Sequence, residues 1–210
     1  MAEGLLRKAL AEAGIPASVG SAGLLRGGSC ATDLAIRVTA ERGIDITGHR
    51  SRTIDPQIVR AAPLVIGMTR QHVREVCVGY GGSIQRTFTL KELVRRGERV
   101  GPRAAGETVS GWLARVGAGR QAADLMGDDQ DDDVADPAGG PRSGYERTVA
   151  ELEDLVARLV QLLVGPANVG APTSGIAGTF GSLGTPAPGA QGTAPAATYA
   201  PGVSGDDLRR

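Results

Sequence analysis

The sequence predicts an α/β layered domain built on a parallel sheet. Three observations carry this. Amphipathic helical stretches alternate with short apolar runs, the connections between them are of modest length, and residues 63–68 (Pro-Leu-Val-Ile-Gly-Met) form a nearly continuous apolar run. Such a run suits a strand covered on both faces, as parallel strands are. Reactive groups in these sheets collect beyond the carboxyl ends of the strands, which places Ser21, Met68, Thr69 and the loop around Asp136 on one rim.

In chain order, residues 1–14 put Leu5, Leu6, Ala9 and Leu10 on one helical face, and Gly14 suits the C-terminal cap. Residues 17–22 read as a short strand and 24–29 as a glycine-rich loop. That loop is a backbone nest for an anion or a plain connector. Residues 31–42 are amphipathic through Leu34, Ile36 and Val38, Gly43 follows the last turn, and 44–47 starts a new extended segment. Gly48-His49-Arg50-Ser51-Arg52 comes next, a basic loop suited to a phosphate or simply solvated. Asp55-Pro56 opens a short helix that closes at Ala61 and Ala62, and Thr69 caps a helix running through His72 and Val76. Residues 86–90 give another strand and 91–96 another helix start. Trp112, Leu113 and Val116 share the face of a short helix, and Asp128, Asp129 and residues 131–133 read as a solvated acidic loop. Val149, Leu152, Leu155, Val156, Leu159 and Leu163 recur at helical spacing through residues 143–164.

Composition divides the chain. Of 210 residues, 41% are apolar and 22% charged, ordinary globular values, but many of the 32 Gly and 12 Pro gather toward the C-terminus. The expected organisation is a domain at 1–164 and a disordered Gly/Ala/Pro/Thr-rich tail at 165–210, which holds too little apolar surface to offset chain entropy. Zero formal net charge gives no reason to expect nucleic acid as a partner. No apolar run approaches the ~20 residues of a membrane span, and the N-terminus lacks signal-peptide order, so no membrane partner and a cytoplasmic location are expected. Cys30 and Cys77 belong to no C-x-x-C pair or metal-ligand pattern, so the expectation is no disulfide, no metal and no cofactor.

The stretch 134–145 (Val-Ala-Asp-Pro-Ala-Gly-Gly-Pro-Arg-Ser-Gly-Tyr) is built to present one carboxyl group. Pro137 biases Asp136 toward an extended conformation, while Gly139 and Gly140 allow the turn that follows. Asp136 is a general acid for a leaving group, or an Asp-Pro turn that caps the next helix.

Taken together, several segments resemble the low-molecular-weight protein tyrosine phosphatase family. They are Met-Ala-Glu-Gly-Leu-Leu at 1–6, Val-Gly-Ser-Ala-Gly at 19–23, Gly43 through Arg52, Pro63 through Thr69 with His72, Thr-Phe-Thr-Leu-Lys-Glu at 87–92, and Asp136-Pro137-x-Gly-Gly with Tyr145. The resemblance implies a flavodoxin-like parallel sheet with helices on both faces. It also implies phosphomonoester hydrolysis through a phosphocysteine, with a phosphorylated protein or small phosphomonoester as substrate. Carried over by position, Asp136 is the general acid, and Ser21 and His49 brace the phosphate loop.

Two departures stand out. In the family an apolar strand and a Cys-x5-Arg loop precede the helix that here begins at Met1, and neither is in this sequence. The sixth residue after Cys30 is Ile36 and the sixth after Cys77 is Ser83, so neither cysteine substitutes. The expectation is an N-terminally truncated chain, inactive as it stands, whose translation start lies upstream. In addition, Ala138 stands where relatives acting on phosphotyrosine carry an aromatic residue, which points to phosphoarginine or another phosphomonoester. The alternatives are an arsenate reductase on the same fold, which needs further redox cysteines, and a non-catalytic interaction module.

Overall fold

Side chains set most of the helix starts. In the computed structural model, which describes residues 1–127, 129 and 131–165, five helices begin on a Thr or Asp whose oxygen accepts a backbone N–H two or three residues on. Thr32 opens α2 (Asp33–Ala40), Asp55 opens α3 (Pro56–Ala61), Thr69 opens α4 (Arg70–Gly79), Thr89 opens α5 (Leu90–Val100) and Thr108 opens α6 (Val109–Val116). The chain begins with α1 (Ala2–Glu12) and the described residues close with α7 (Arg142–Val164). The expected tail lies outside the described residues apart from Gly165, as does Asp128.

The predicted parallel pairing is present. Strand β1 (Val65–Gly67) runs beside β2 (Thr87–Thr89) with Val65 opposite Thr87, Ile66 opposite Phe88 and Gly67 opposite Thr89. The crossover between them is α4, which packs on both strands, and α5 follows β2 directly. Helix α7 buries Tyr145, Val149, Leu152, Val156 and Leu159 and packs on α1, α2 and α5. Phe88, Leu93, Val38 and Trp112 are fully buried in the same core, each contributing about 1.5–3 kcal/mol by removal from water. Gly97 permits the tightest helix approach: a methyl there would lie 2.7 Å from Leu162 Cδ1 and 2.9 Å from Trp112 Cζ2.

Two local expectations need correction. Residues 17–22 form no strand, and the sheet among the described residues has two strands. A strand exists only by pairing. The backbone beside 17–22 is instead tied to a neighbouring loop, with Gly23 N donating to Arg52 O at 2.8 Å and Ile54 N to Gly23 O at 2.9 Å. The acidic loop is not uniformly solvated either, because Asp132 is buried at 3% exposure. Among the described residues, no helix is long and apolar enough to cross a membrane.

Candidate functional site

The first turn of α1 gathers two of the three predicted site residues around one carboxylate. Ser21 Oγ donates to Glu3 Oε2, and His49 Nδ1 lies 3.8 Å from the same oxygen. Arg7, one turn along the helix, donates to Glu3 Oε1 and to Val19 O at 3.0 Å. Arg52 Nε reaches Ser21 O at 3.3 Å. Burial opposes ionisation of Glu3, but the hydrogen bonds from Ser21 and Arg7, with the charges of Arg7 and His49, outweigh it and hold the carboxyl below its ordinary range. Glu3 thus joins the Ser21 loop to the His49 loop. Sequence reasoning passed over it, because a first-turn Glu four residues before an Arg is ordinary helix chemistry.

Asp136 stands on a different support. Its Oδ1 accepts from Ala138 N at 3.0 Å, closing the turn that Pro137 and the glycines build, and the residue is exposed. Gly139 has φ +76°, which a side chain would strain, and Gly140 N donates to Pro137 O at 2.9 Å. The loop is anchored on the carboxyl end of β1, where Val134 N donates to Met68 O at 2.8 Å. Thr148 Oγ1 of α7 donates to Ala135 O at 3.2 Å from the other side. Tyr145 is buried behind the loop, its hydroxyl accepting from Thr32 Oγ1 at 3.2 Å. The expected common rim therefore divides: Met68 and the Asp136 loop adjoin through the Val134 bond, while Ser21 and His49 meet on Glu3.

The acidic residues ahead of Asp136 fasten this loop. Asp133 Oδ1 accepts from Arg70 N at 2.7 Å, and Lys91 Nζ donates to Asp133 O at 2.7 Å. Asp132 pairs with Arg70 at 2.7 Å and with Arg95 at 2.6 Å. Burial disfavours the Asp132 carboxylate, yet the hydrogen bonds and charges of Arg95 and Arg70 prevail, and its carboxyl titrates below the usual range. A carboxyl depressed by folding contributes stability that is complete above the unfolded value of about 4 and is lost as pH falls through the folded value. Asp132→Asn is therefore expected to cost about 1.5–3 kcal/mol at neutral pH and much less in acid. Urea unfolding at neutral pH and at pH 3 measures both; an unchanged difference between variant and parent would remove the pair from the loop's support.

Cys77 is not an activated nucleophile by placement. Cys30 is exposed and Cys77 half-buried, both are free, and burial pushes the Cys77 thiol up, away from thiolate.

The parallel β1–β2 pair under its covering helices, with an Asp-Pro loop anchored at the carboxyl end of β1, defines an α/β domain. The model of the family described as low molecular weight phosphotyrosine protein phosphatase matches residues 1–100. The protein-arginine-phosphatase of Bacillus subtilis (strain 168) is 27% identical over 164 residues, covering 78% of this chain and 87% of that protein. The solved low molecular weight protein tyrosine phosphatase from T. tengcongensis superposes with a TM-score of 0.57 at 27% identity, over 77% of this chain and 88% of that one. The YwlE arginine phosphatase from Geobacillus stearothermophilus gives 0.53 at 27% identity, over 76% and 80% of the two chains. Over its first hundred residues the chain is thus similar to the low molecular weight phosphotyrosine protein phosphatase family, and its fold is similar to that of solved members.

Proposed function

We propose that this chain carries the proton-donating and loop-bracing part of a cytoplasmic phosphatase that hydrolyses phosphorylated side chains of proteins through a phosphocysteine. The attacking cysteine and the arginine of a Cys-x5-Arg loop, which this chemistry needs, are not among the 210 residues. The observation that carries this reading is the convergence of Ser21 and His49 on Glu3 in the first turn of α1. A phosphate loop feeding that helix would hold its anion at the helix N-terminus, with these side chains as its brace. In the reaction a thiolate forms a bond to phosphorus as the bond to the leaving atom breaks, and Asp136 gives that atom its proton. Water then attacks the phosphocysteine, Asp136 takes a proton back, and phosphate and free thiol result.

The 210 residues by themselves hold no Cys-x5-Arg segment, and their own domain, residues 1–164, is inactive in this reading. Ala138 offers a methyl where an aromatic ring would stack on a phosphotyrosine ring, a contact worth about 1 kcal/mol, so phosphoarginine is the better substrate. Relatives named as arginine phosphatases support that preference. The test is turnover of an aryl phosphate and of phosphoarginine by the 210-residue chain and by one extended through the upstream coding sequence. The expected result is background hydrolysis by the first and preferential phosphoarginine hydrolysis by the second. Turnover by the 210-residue chain would sink the division of labour, and an inert extended chain would sink the enzyme reading.

A further inference from the structure

Several arginines of this protein sit against carboxylates. Arg42 pairs with Glu153, Arg70 with Asp132, Arg96 and Arg120 with Glu92, Arg142 with Glu41 and Arg158 with Glu98. Arg26, Arg50 and Arg52 are among those with no carboxylate partner in the described residues, and unlike the scattered Arg37, Arg60, Arg99 and Arg147 they lie on two adjoining segments. Arg50 Nη1 donates to Thr47 O at 3.2 Å and His49 O at 2.8 Å, Arg52 Nε donates to Ser21 O, and Arg26 makes no bond. The acidic side chains nearest Arg50 and Arg52 in the chain are used as local caps. Asp45 Oδ1 accepts from Thr47 N at 2.8 Å, and Asp55 Oδ1 from Gln57 N and Ile58 N at 2.7 and 2.9 Å.

The fold brings the two segments that bear these arginines together. Residues 23–30 run back along 50–54, with Gly28 N donating to Ser51 O at 2.8 Å, Ser51 N to Ser29 O at 2.8 Å, and Gly27 N to Thr53 Oγ1 at 2.9 Å. Gly27 makes the approach possible, since a Cβ there would lie 2.9 Å from Ser51 O. The connector therefore presents Leu25, 85% exposed, and Arg26 beside a segment bearing Arg50 and Arg52. That segment starts at His49 and is bonded to Ser21, so the surface borders the Glu3 cluster.

We infer that this face is a docking surface for an extended acidic peptide carrying an apolar residue, the stretch flanking the phosphorylated residue of the substrate. The inference rests on the phosphatase reading and adds the chemistry of the substrate's flanks to it. Three unpaired guanidiniums complement carboxylates, and Leu25 gives an apolar side chain a place to leave water. A nucleic acid fits less well, because the chain has zero net charge and this surface carries no aromatic ring on which a base could stack.

The test uses the 210-residue chain and an unphosphorylated, fluorescein-labelled Glu-rich peptide with one Phe, so its outcome does not depend on catalysis. Anisotropy titration is expected to show saturable binding that weakens with salt and falls at least about tenfold in Arg26→Glu/Arg52→Glu. Arg147→Glu, an exposed charge reversal on α7, is expected to leave binding unchanged. Arg26→Glu alone removes no bond within the chain and keeps the test sound if the double variant fails to fold. The inference is overturned if the parent shows no saturable binding, if the arginine variants bind equally well, or if single-stranded DNA binds more tightly than the peptide.

Discussion

Asp136→Asn, in a chain extended to include the Cys-x5-Arg loop, is expected to lower kcat by about 10²–10⁴-fold with little change in KM. The amide keeps the shape of the carboxyl, and its oxygen still accepts from Ala138 N, so the turn and the Val134–Met68 anchor survive the change. In the proposed mechanism the variant loses the proton for the departing atom in the first step and the base for water in the second. The first loss, read in kcat/KM, should depend on the leaving group. Phenyl phosphate, whose phenolate departs poorly without a proton, is expected to suffer the full loss, and a nitrophenyl phosphate much less. The pH profile of kcat should also lose its alkaline limb, the limb set by deprotonation of the acid. Equal losses in kcat/KM on both esters would mean that Asp136 donates no proton to the departing atom.

Helices were legible where an apolar stripe or a local cap marks them, as in Asp55 before Pro56 and Thr69 before His72. The strand at 63–68 was legible for its continuous apolarity, and the structure narrows it to Val65–Gly67. Residues 17–22 carry a similar local pattern and form no strand, because a ladder depends on a neighbour that local sequence does not specify. Asp131 to Asp133 read as one solvated run for a related reason: the arginines that bury Asp132 are Arg70 and Arg95, far off in sequence. Ser21 and His49 emerged from a family resemblance and not from any pattern of their own. Glu3, the group on which they meet, carries no local sign of that role.

The Glu92–Arg120 pair was also hidden, and it supports the second large expectation. Arg120→Ala should destabilise the protein by about 3–5 kcal/mol, read as a lower urea midpoint at unchanged slope. The guanidinium is buried, donates to both Glu92 oxygens at 2.7 and 2.8 Å, to Thr87 O at 3.0 Å and to Ile84 O, and stacks 4.0 Å above the Phe88 ring. Removing it leaves Glu92, 5% exposed, with Arg96 Nε at 2.9 Å as its remaining charged partner. Arg96 is only half-buried and offsets part of the loss, which places the expected value toward the lower end of the range. The cost arises from the stranded carboxylate and not from a net gain in the intact pair, since desolvating two charges cancels most of their attraction. Arg120→Met combined with Glu92→Leu, which removes both charges and fills the volume, should therefore recover most of the stability that Arg120→Ala loses. A double variant as unstable as the single one would mean that the backbone bonds to Ile84 and Thr87 carry the energy. In that case Arg120 would act as a clasp on the start of β2 rather than as the counter-charge of Glu92.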